Sequence, residues 1–200
     1  MMNKETIHHR ETQVCLLRNP DGSPRWIWPA ELRQPLFLTF YYPGSRRAQW
    51  LATALRLIFA LGLQRFIFRP RKMAVPNFIQ SGEWAMFTGT AGPGRKTIIV
   101  ERQADGQMVF HKISVGEQAG KGLEKERRAL SQLKERHWNS IGMPTTFHAM
   151  EGVHSQVALP ATGTVGAFTT QHAKAVEELF SAGSSTLPAS EWLEILPHSN

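Results

Sequence analysis

Short apolar runs interrupted by turn-forming residues predict several β-strands in the first third of the chain. Val14–Arg18 and Arg25–Trp28 flank the sequence Asn19-Pro20-Asp21-Gly22. Two β-prone runs on either side of such a sequence are typical of a hairpin. A further β-prone run covers Pro35–Tyr42, whereas the prolines of Arg69–Gln80 indicate a linker or crossing segment.

The longest helical pattern covers residues 46–68. A narrow stripe of polar or small residues recurs at spacings of three and four, and its members are Gln49, Thr53, Arg56, Ala60 and Gln64. Most remaining positions are apolar, so the predicted amphipathic helix is apolar over most of its circumference. A charge at its middle argues against a membrane-spanning helix. Two interpretations remain, a helix packed against the domain or one lying in a membrane interface.

The second half of the chain predicts an α+β fold with an antiparallel sheet. The predicted strands are Glu83–Thr88, Lys96–Arg102, Met108–Ile113, Thr145–Met150 and Val153–Leu159. The predicted helices are Gln118–Trp138 and Thr169–Phe180, the latter with Thr169 or Thr170 as N-cap and Gly183 as its stop. Because tight turns join consecutive strands, we expect those strands to be antiparallel.

The positive charge is concentrated toward the N-terminus. The 200 residues carry a net charge of +7, with +11 on residues 1–136 and −4 on residues 137–200, and no acidic residue lies between Glu31 and Glu83. Such a segment attracts phosphate on lipid headgroups, nucleic acid or a small ligand. The basic residues that support binding to an anionic membrane surface are Arg65, Arg69, Arg71 and Lys72.

Nucleic-acid binding is another interpretation of the same charge. Residues 18–96 carry a net charge of +9, accompanied by the aromatic residues Trp26, Trp28, Phe37, Phe40, Tyr41 and Tyr42. Aromatic side chains can stack on bases. However, no nucleic-acid-binding motif is present, and these aromatics lie in strand-like runs that usually form a core. The sequence therefore favours other partners.

The sequence offers few candidate residues for disulfide bonds, metal binding or aspartate-dependent catalysis. The single cysteine, Cys15, excludes an intramolecular disulfide, and residues 1–12 lack the apolar core of a signal peptide. We therefore expect a cytoplasmic protein. If the predicted amphipathic helix binds lipid, the protein would be peripheral to the membrane. The eight histidines show no metal-ligand spacing, so we expect no metal site. The only aspartates, Asp21 and Asp105, precede glycines in predicted turns. No catalytic residue is assigned.

Two candidate phosphate-binding motifs follow residue 84. Gly89, Gly92 and Gly94 form a glycine-rich turn, which could cradle phosphate with its backbone amides or simply reverse the chain. The apolar strand Val109–Ile113 contains Lys112, which either meets a buried partner or faces outward.

Two further motifs complete the series. Residues 123–133 contain the pattern Glu-x-x-x-Leu-x-x-Leu headed by Glu126, with Glu124 as the alternative glutamate. A solvated helix face with pairs such as Glu124–Arg128 would explain the same charges. The apolar strand Gln156–Leu159 then runs into Pro160 and Ala161, which either frame a ligand or merely end the strand.

This order of elements and motifs resembles the N-terminal lobe of the protein-kinase-like superfamily, closest to the aminoglycoside phosphotransferase and choline kinase branch. The resemblance covers about residues 84–180 and implies a lobe at 81–165, an N-terminal extension at 1–80, and a post-hinge helix and tail at 166–200. It further implies that the glycine-rich turn covers the phosphates of ATP, that Lys112 pairs with Glu126 beside them, and that Pro160 and Ala161 lie in the hinge around the adenine.

The catalytic and metal-binding parts of such an enzyme are missing from the sequence. Kinase-like enzymes supply a His-x-Asp motif and a later Asp from a second lobe, yet no Asp follows Asp105 here. We therefore expect a fragment of a phosphotransferase-like protein, whose whole form would bind Mg²⁺ and phosphorylate a small hydroxylated acceptor. The alternative is a non-catalytic lobe that binds a membrane surface or nucleic acid through its basic N-terminal half. The oligomeric state is not predicted.

Overall fold

The computed structural model describes residues 8–39, 44–139, 141–150, 152–159 and 169–182. The chain divides into two compact units. The first contains residues 1–133 and 144–158, and the second contains residues 134–143 and 159–200. The strands described below and all of the candidate site belong to the first unit.

The described residues form an α+β structure built on one open, antiparallel, eight-stranded sheet, which confirms the predicted fold class at this level. The strands are β1 His9–Arg18, β2 Pro24–Pro29, β3 Arg71–Pro76, β4 Trp84–Phe87, β5 Lys96–Arg102, β6 Met108–Ser114, β7 Thr146–Met150 and β8 Val153–Val157. Their order across the sheet is β3-β1-β2-β4-β5-β6-β8-β7. The predicted β1–β2 hairpin is confirmed, and β5 has the predicted bounds.

Four α-helices and one short 3-10 helix accompany the sheet in the described residues. They are the 3-10 helix Leu36–Thr39, α1 Arg46–Ala60, α2 Gln64–Ile67, α3 Glu117–Lys134 and α4 Thr170–Ala182. The carbonyl oxygen of Thr169 accepts a hydrogen bond from the backbone N–H of Ala173, so Thr169, one of the two residues predicted, is the N-cap of α4. The predicted stop at Gly183 lies outside the described residues. No helix in the described ranges is long and apolar enough to cross a membrane.

The strand predicted over Pro35–Tyr42 is wrong in its described part, which forms the 3-10 helix. The backbone N–H of Leu38 donates to the carbonyl of Pro35 at 3.1 Å, and Thr39 Oγ1 donates to the carbonyl of Leu36 at 2.7 Å. These local bonds let three consecutive apolar side chains, Leu36, Phe37 and Leu38, become buried. A strand would have turned alternate side chains to opposite faces.

The single helix predicted over residues 46–68 is also wrong, because it breaks after Ala60. Gly62 has φ of +70°, a conformation that ends helices and favours glycine. A second, four-residue helix follows as α2. At the other end, Ser45 caps α1 by accepting a hydrogen bond from the backbone N–H of Ala48 at 3.3 Å.

The linker or crossing segment predicted over Arg69–Gln80 is wrong for residues 71–76, which form the edge strand β3. Arg71–Pro76 pairs antiparallel with His9–Val14 of β1. Prolines are tolerated at strand ends and sheet edges, so Pro76 does not prevent the pairing. The sheet consequently contains strands from both sides of residue 81, where the sequence indicated a domain boundary.

Each face of the sheet carries its own apolar cluster. On one face, Trp28 packs against Phe37, Phe59 and Phe68, which joins the 3-10 helix, α1 and the residue after α2 to the strands. The other face buries a second cluster, whose fully buried members include Val14, Val75, Ile79, Trp84 and Ile99. Alternation along the strands therefore supplies two cores.

Candidate functional site

The predicted pair of Lys112 and Glu126 is in contact. Lys112 lies on β6, and its Nζ donates a hydrogen bond to Oε1 of Glu126 on α3. The same ammonium group donates to Oε1 of Gln156 on β8 at 3.3 Å. Lys112 is half-buried and stands opposite Ile98 in the register of β5 and β6. Of the two interpretations for this lysine, the structure shows the one in which it meets a partner.

A second lysine, which the sequence analysis did not select, shares the same carboxylate. Lys96 is the first residue of β5, and its Nζ lies 3.3 Å from Oε2 of Glu126. Burial raises the pKa of Glu126, but hydrogen bonds and charge from Lys112 and then Lys96 outweigh it, so the pKa lies below its ordinary value. The three side chains form a lysine–glutamate cluster with two positive charges and one negative charge.

The alternative glutamate, Glu124, lies elsewhere on α3. Its carboxylate accepts hydrogen bonds from Arg127 at 2.7 and 2.8 Å and from Arg128 at 3.0 Å. Hydrogen bonding to these arginines, Arg127 first, lowers the pKa of Glu124 to about 2. The predicted Glu124–Arg128 pair is thus confirmed, and Glu124 belongs to a charged surface rather than to the cluster.

The glycine-rich turn joins β4 to β5 and ends beside the cluster. Gly89 has φ of +79°, and a Cβ there would collide with the backbone carbonyl of Lys96. Gly92 also has a positive φ, of +149°, and its carbonyl accepts from the N–H of Arg95 at 3.1 Å. By contrast, a Cβ at Gly94 would meet nothing within 4 Å. Only part of the predicted glycine motif is therefore required by its backbone.

A groove lies between the glycine-rich turn and the turn of the β1–β2 hairpin. Its volume is about 460 Å³. Its lining is Asn19, Pro20, Asp21, Ser23, Arg25, Phe87, Gly89, Thr90, Ala91 and Arg95. Two arginines, Arg25 and Arg95, and one carboxylate, Asp21, line this groove among short polar side chains, so its lining carries a net charge of one positive unit. Gly89 lines the groove and also lies against the backbone carbonyl of Lys96, whose side chain belongs to the lysine–glutamate cluster.

The predicted hinge residues and the aromatic residues considered for base stacking remain to be placed. Pro160 and Ala161, the predicted hinge residues, lie outside the described residues. Among the aromatics considered for base stacking, Trp26, Trp28 and Phe37 are buried in the apolar cluster on the helix-bearing face. Burial of these rings leaves them without an open face for a base.

A buried polar chain that sequence reasoning missed crosses three strands on the other face. Ser155 Oγ lies 2.8 Å from Nδ1 of His111, and His111 Nε2 lies 3.3 Å from Oε1 of Glu101. Burial raises the pKa of Glu101, but the hydrogen bond and charge of His111, with the backbone N–H groups of Ser81 and Gln80, leave it below its ordinary value. Ser155, His111 and Glu101 are all buried, so their hydrogen bonds cross-link the strands and offer no nucleophile to a substrate.

The other reactive groups do not form a site in the described part of the chain. No three His, Cys, Asp or Glu side chains there are grouped so that they could hold a metal ion. Cys15 is buried, and desolvation raises the pKa of its thiol. Comparison of the chain with family models, curated proteins and solved structures gives no match.

Proposed function

We propose that this chain contains the nucleotide-binding lobe of a kinase-like phosphotransferase, with ATP as its ligand. The contact between Lys112 and Glu126 carries the proposal. A strand lysine held by a helix glutamate is the pair that protein kinases place on the α- and β-phosphates of ATP. Here the pair connects β6 to α3, in the element order that the resemblance implies.

The neighbouring geometry supports a polyphosphate at this place. Lys96 adds a second ammonium group to the same carboxylate, so the cluster keeps a net positive charge beside the turn. The turn itself requires glycine at Gly89, where the backbone approaches Lys96 closely. Glycine-rich turns allow phosphate oxygens to reach backbone amides without side-chain hindrance.

Phosphoryl transfer is proposed only for a larger form of the protein. Transfer needs a carboxylate that receives or orients the acceptor's proton, and further groups that hold Mg²⁺. No Asp follows Asp105 in the sequence, and the glutamate of the cluster is already paired with two lysines. In the whole form, the acceptor would be a small hydroxylated molecule, and the present residues would bind and orient the nucleotide.

Titration of the full chain with ATP tests this proposal. Lys112→Ala removes a charge-assisted hydrogen bond to phosphate, which contributes about 1.5–3 kcal/mol. We therefore expect the affinity for ATP to fall by about tenfold or more. Lys125→Ala is the matched control, because it removes an exposed lysine from α3, the helix that carries Glu126.

The proposal is wrong if the wild-type chain shows no ATP binding at millimolar concentrations. It is equally wrong if Lys112→Ala and Lys125→Ala leave the same affinity. Circular dichroism of both variants shows whether the fold is retained, since Lys112 also pairs with Glu126 in the unliganded protein.

A further inference from the structure

Helix α1 has two apolar stripes on opposite sides. Ala52, Leu55 and Phe59 are buried, and the last two belong to the apolar cluster on the helix-bearing face of the sheet. Trp50, Leu57 and Leu61, the last directly after the helix, are instead 78%, 58% and 62% exposed. At about 100° per residue the two sets point in roughly opposite directions. Packing against the sheet therefore accounts for only one of the stripes.

The exposed apolar surface continues along the chain into α2. Phe66 is 71% exposed and Ile67 is 51% exposed, and no residue of α2 is buried. We name the outer patch as the exposed side chains of this segment, Trp50, Leu57, Leu61, Phe66 and Ile67. Single exposed apolar residues are common on proteins, but a concentration of large ones marks an interaction surface.

Arginines border the outer patch at both ends. Arg46 and Arg47 are exposed in the first turn of α1, where the helix dipole disfavours positive charge. At the other end, Arg65 and Arg69 are exposed, and the guanidinium carbon of Arg65 lies 5.0 Å from the centre of the Phe66 ring. Helix stability alone does not explain cations at the start of α1.

We propose that the outer patch and its arginines dock the protein on an anionic membrane surface. Large apolar side chains beside arginine are the combination that enters the boundary between headgroups and acyl chains. The absence of any acidic residue between Glu31 and Glu83 complements negative lipid headgroups. A second copy of the chain is a poorer occupant, because two such basic surfaces repel each other.

Two further basic residues follow α2, and they differ in their surroundings. Arg71 is exposed, whereas Lys72 lies 3.7 Å from Glu11 in an exposed ion pair. Water screens such a pair, so Lys72 contributes less to the membrane than an unpaired cation would. The main electrostatic contribution is assigned to Arg46, Arg47, Arg65 and Arg69.

Co-sedimentation with vesicles tests the docking surface. The full chain is mixed with vesicles of phosphatidylcholine alone, or with about one third phosphatidylserine, at low and at high salt. We expect binding to the phosphatidylserine vesicles only, weakened by salt. In the Arg65→Gln/Arg69→Gln variant, binding should fall by about 25-fold, since each basic residue near the surface contributes about fivefold.

Matched variants separate the patch from general charge and hydrophobicity. Trp50→Ser/Leu57→Gln should abolish binding, while Gln49→Ser, about 100° from Trp50 around α1, should retain it. Lys121→Gln/Lys125→Gln removes the same charge as the arginine variant from α3 and should also retain binding. Because Trp50 and Leu57 are exposed, their replacement leaves the core intact.

Three results would overturn the proposal. The first is equal recovery of the wild-type chain with neutral and anionic vesicles, or no recovery with either. The second is unchanged binding by the Trp50→Ser/Leu57→Gln variant. The third is a dimer in light scattering that this same variant dissociates, which would identify a second copy as the occupant. ATP titration is independent of all three, so the nucleotide proposal is judged separately.

Discussion

Lys96 Nζ lies 3.3 Å from Oε2 of Glu126, while the other oxygen of that carboxylate accepts a hydrogen bond from Lys112. The glutamate thus connects the first residue of β5 to the centre of β6 through α3. A simple ion pair would be neutral, but this cluster carries a net positive charge. It can consequently attract an anion while the contact between sheet and helix remains in place.

The two lysines should contribute unequally to nucleotide affinity. Lys96→Gln keeps the Lys112–Glu126 contact and removes one partly exposed positive charge that would attract phosphate, and such a charge contributes about 1 kcal/mol or less. We expect the affinity for ATP to fall by about fivefold or less, compared with about tenfold or more for Lys112→Ala. Calorimetric titration of both variants measures the difference. A larger loss for Lys96→Gln would place the main phosphate contact at the start of β5.

Glycine at position 89 should be required for stability, whereas glycine at position 94 should not. Gly89→Ala introduces a Cβ that collides with the carbonyl of Lys96, at a positive φ. We expect the free energy of unfolding to fall by about 1–3 kcal/mol. Gly94→Ala is the control, because its Cβ meets no atom within 4 Å. Urea denaturation measures both, and equal midpoints would show that the turn relaxes around the new methyl group.

The sequence predicted the parts of the structure that depend on local patterns. β-Prone runs between turns predicted β4, β5 and β6, and the resemblance to the kinase-like helix motif selected Glu126, with Glu124 as the alternative, as the partner of Lys112. The strand β3 was missed because its partner, β1, lies about 60 residues away and residues 71–76 alone resemble a linker. Non-local pairing leaves little signal in a single segment.

Other features were missed for different physical reasons. Lys96 follows a glycine-rich turn, where no periodicity indicates which way its side chain points. For His111 a signal existed, since it lies two residues from Val109 and two from Ile113, on the same face of an apolar strand. An inward polar residue at such a position requires a buried partner, and Ser155 and Glu101 supply it.

Loss of the Ser155 hydroxyl should destabilise the fold. Ser155→Ala leaves Nδ1 of buried His111 without the hydroxyl that lies 2.8 Å away. An unsatisfied buried polar group costs about 1–3 kcal/mol, so we expect a loss of that size in the free energy of unfolding. Ser131→Ala on the exposed side of α3 should change it by about 0.5 kcal/mol or less. Similar urea midpoints for both variants would contradict a structural role for the hydrogen bonds that join Ser155, His111 and Glu101.

Acid should destabilise the protein through Glu101, and salt should not remove that effect. Folding lowers the pKa of Glu101 below its ordinary value of 4.5. At acidic pH the unfolded state therefore binds more protons than the folded state does. Its contribution is therefore present above about pH 4.5 and is lost as the pH falls through the lower folded pKa. Glu101→Gln should flatten the decline of the urea midpoint below that pH.

The exposed carboxylate of Glu124 provides the comparison for this measurement. Its pKa of about 2 arises from surface arginines, chiefly Arg127, and so it also favours folding above the pH at which the unfolded group titrates. Water and salt screen this exposed pair, whereas Glu101 is buried beside His111. In 1 M salt, Glu124→Gln should no longer alter the fall of the urea midpoint at acidic pH, while Glu101→Gln should still make that fall less steep. If high salt removes the effect of Glu101→Gln as well, the buried contact with His111 is not the source of the acid sensitivity.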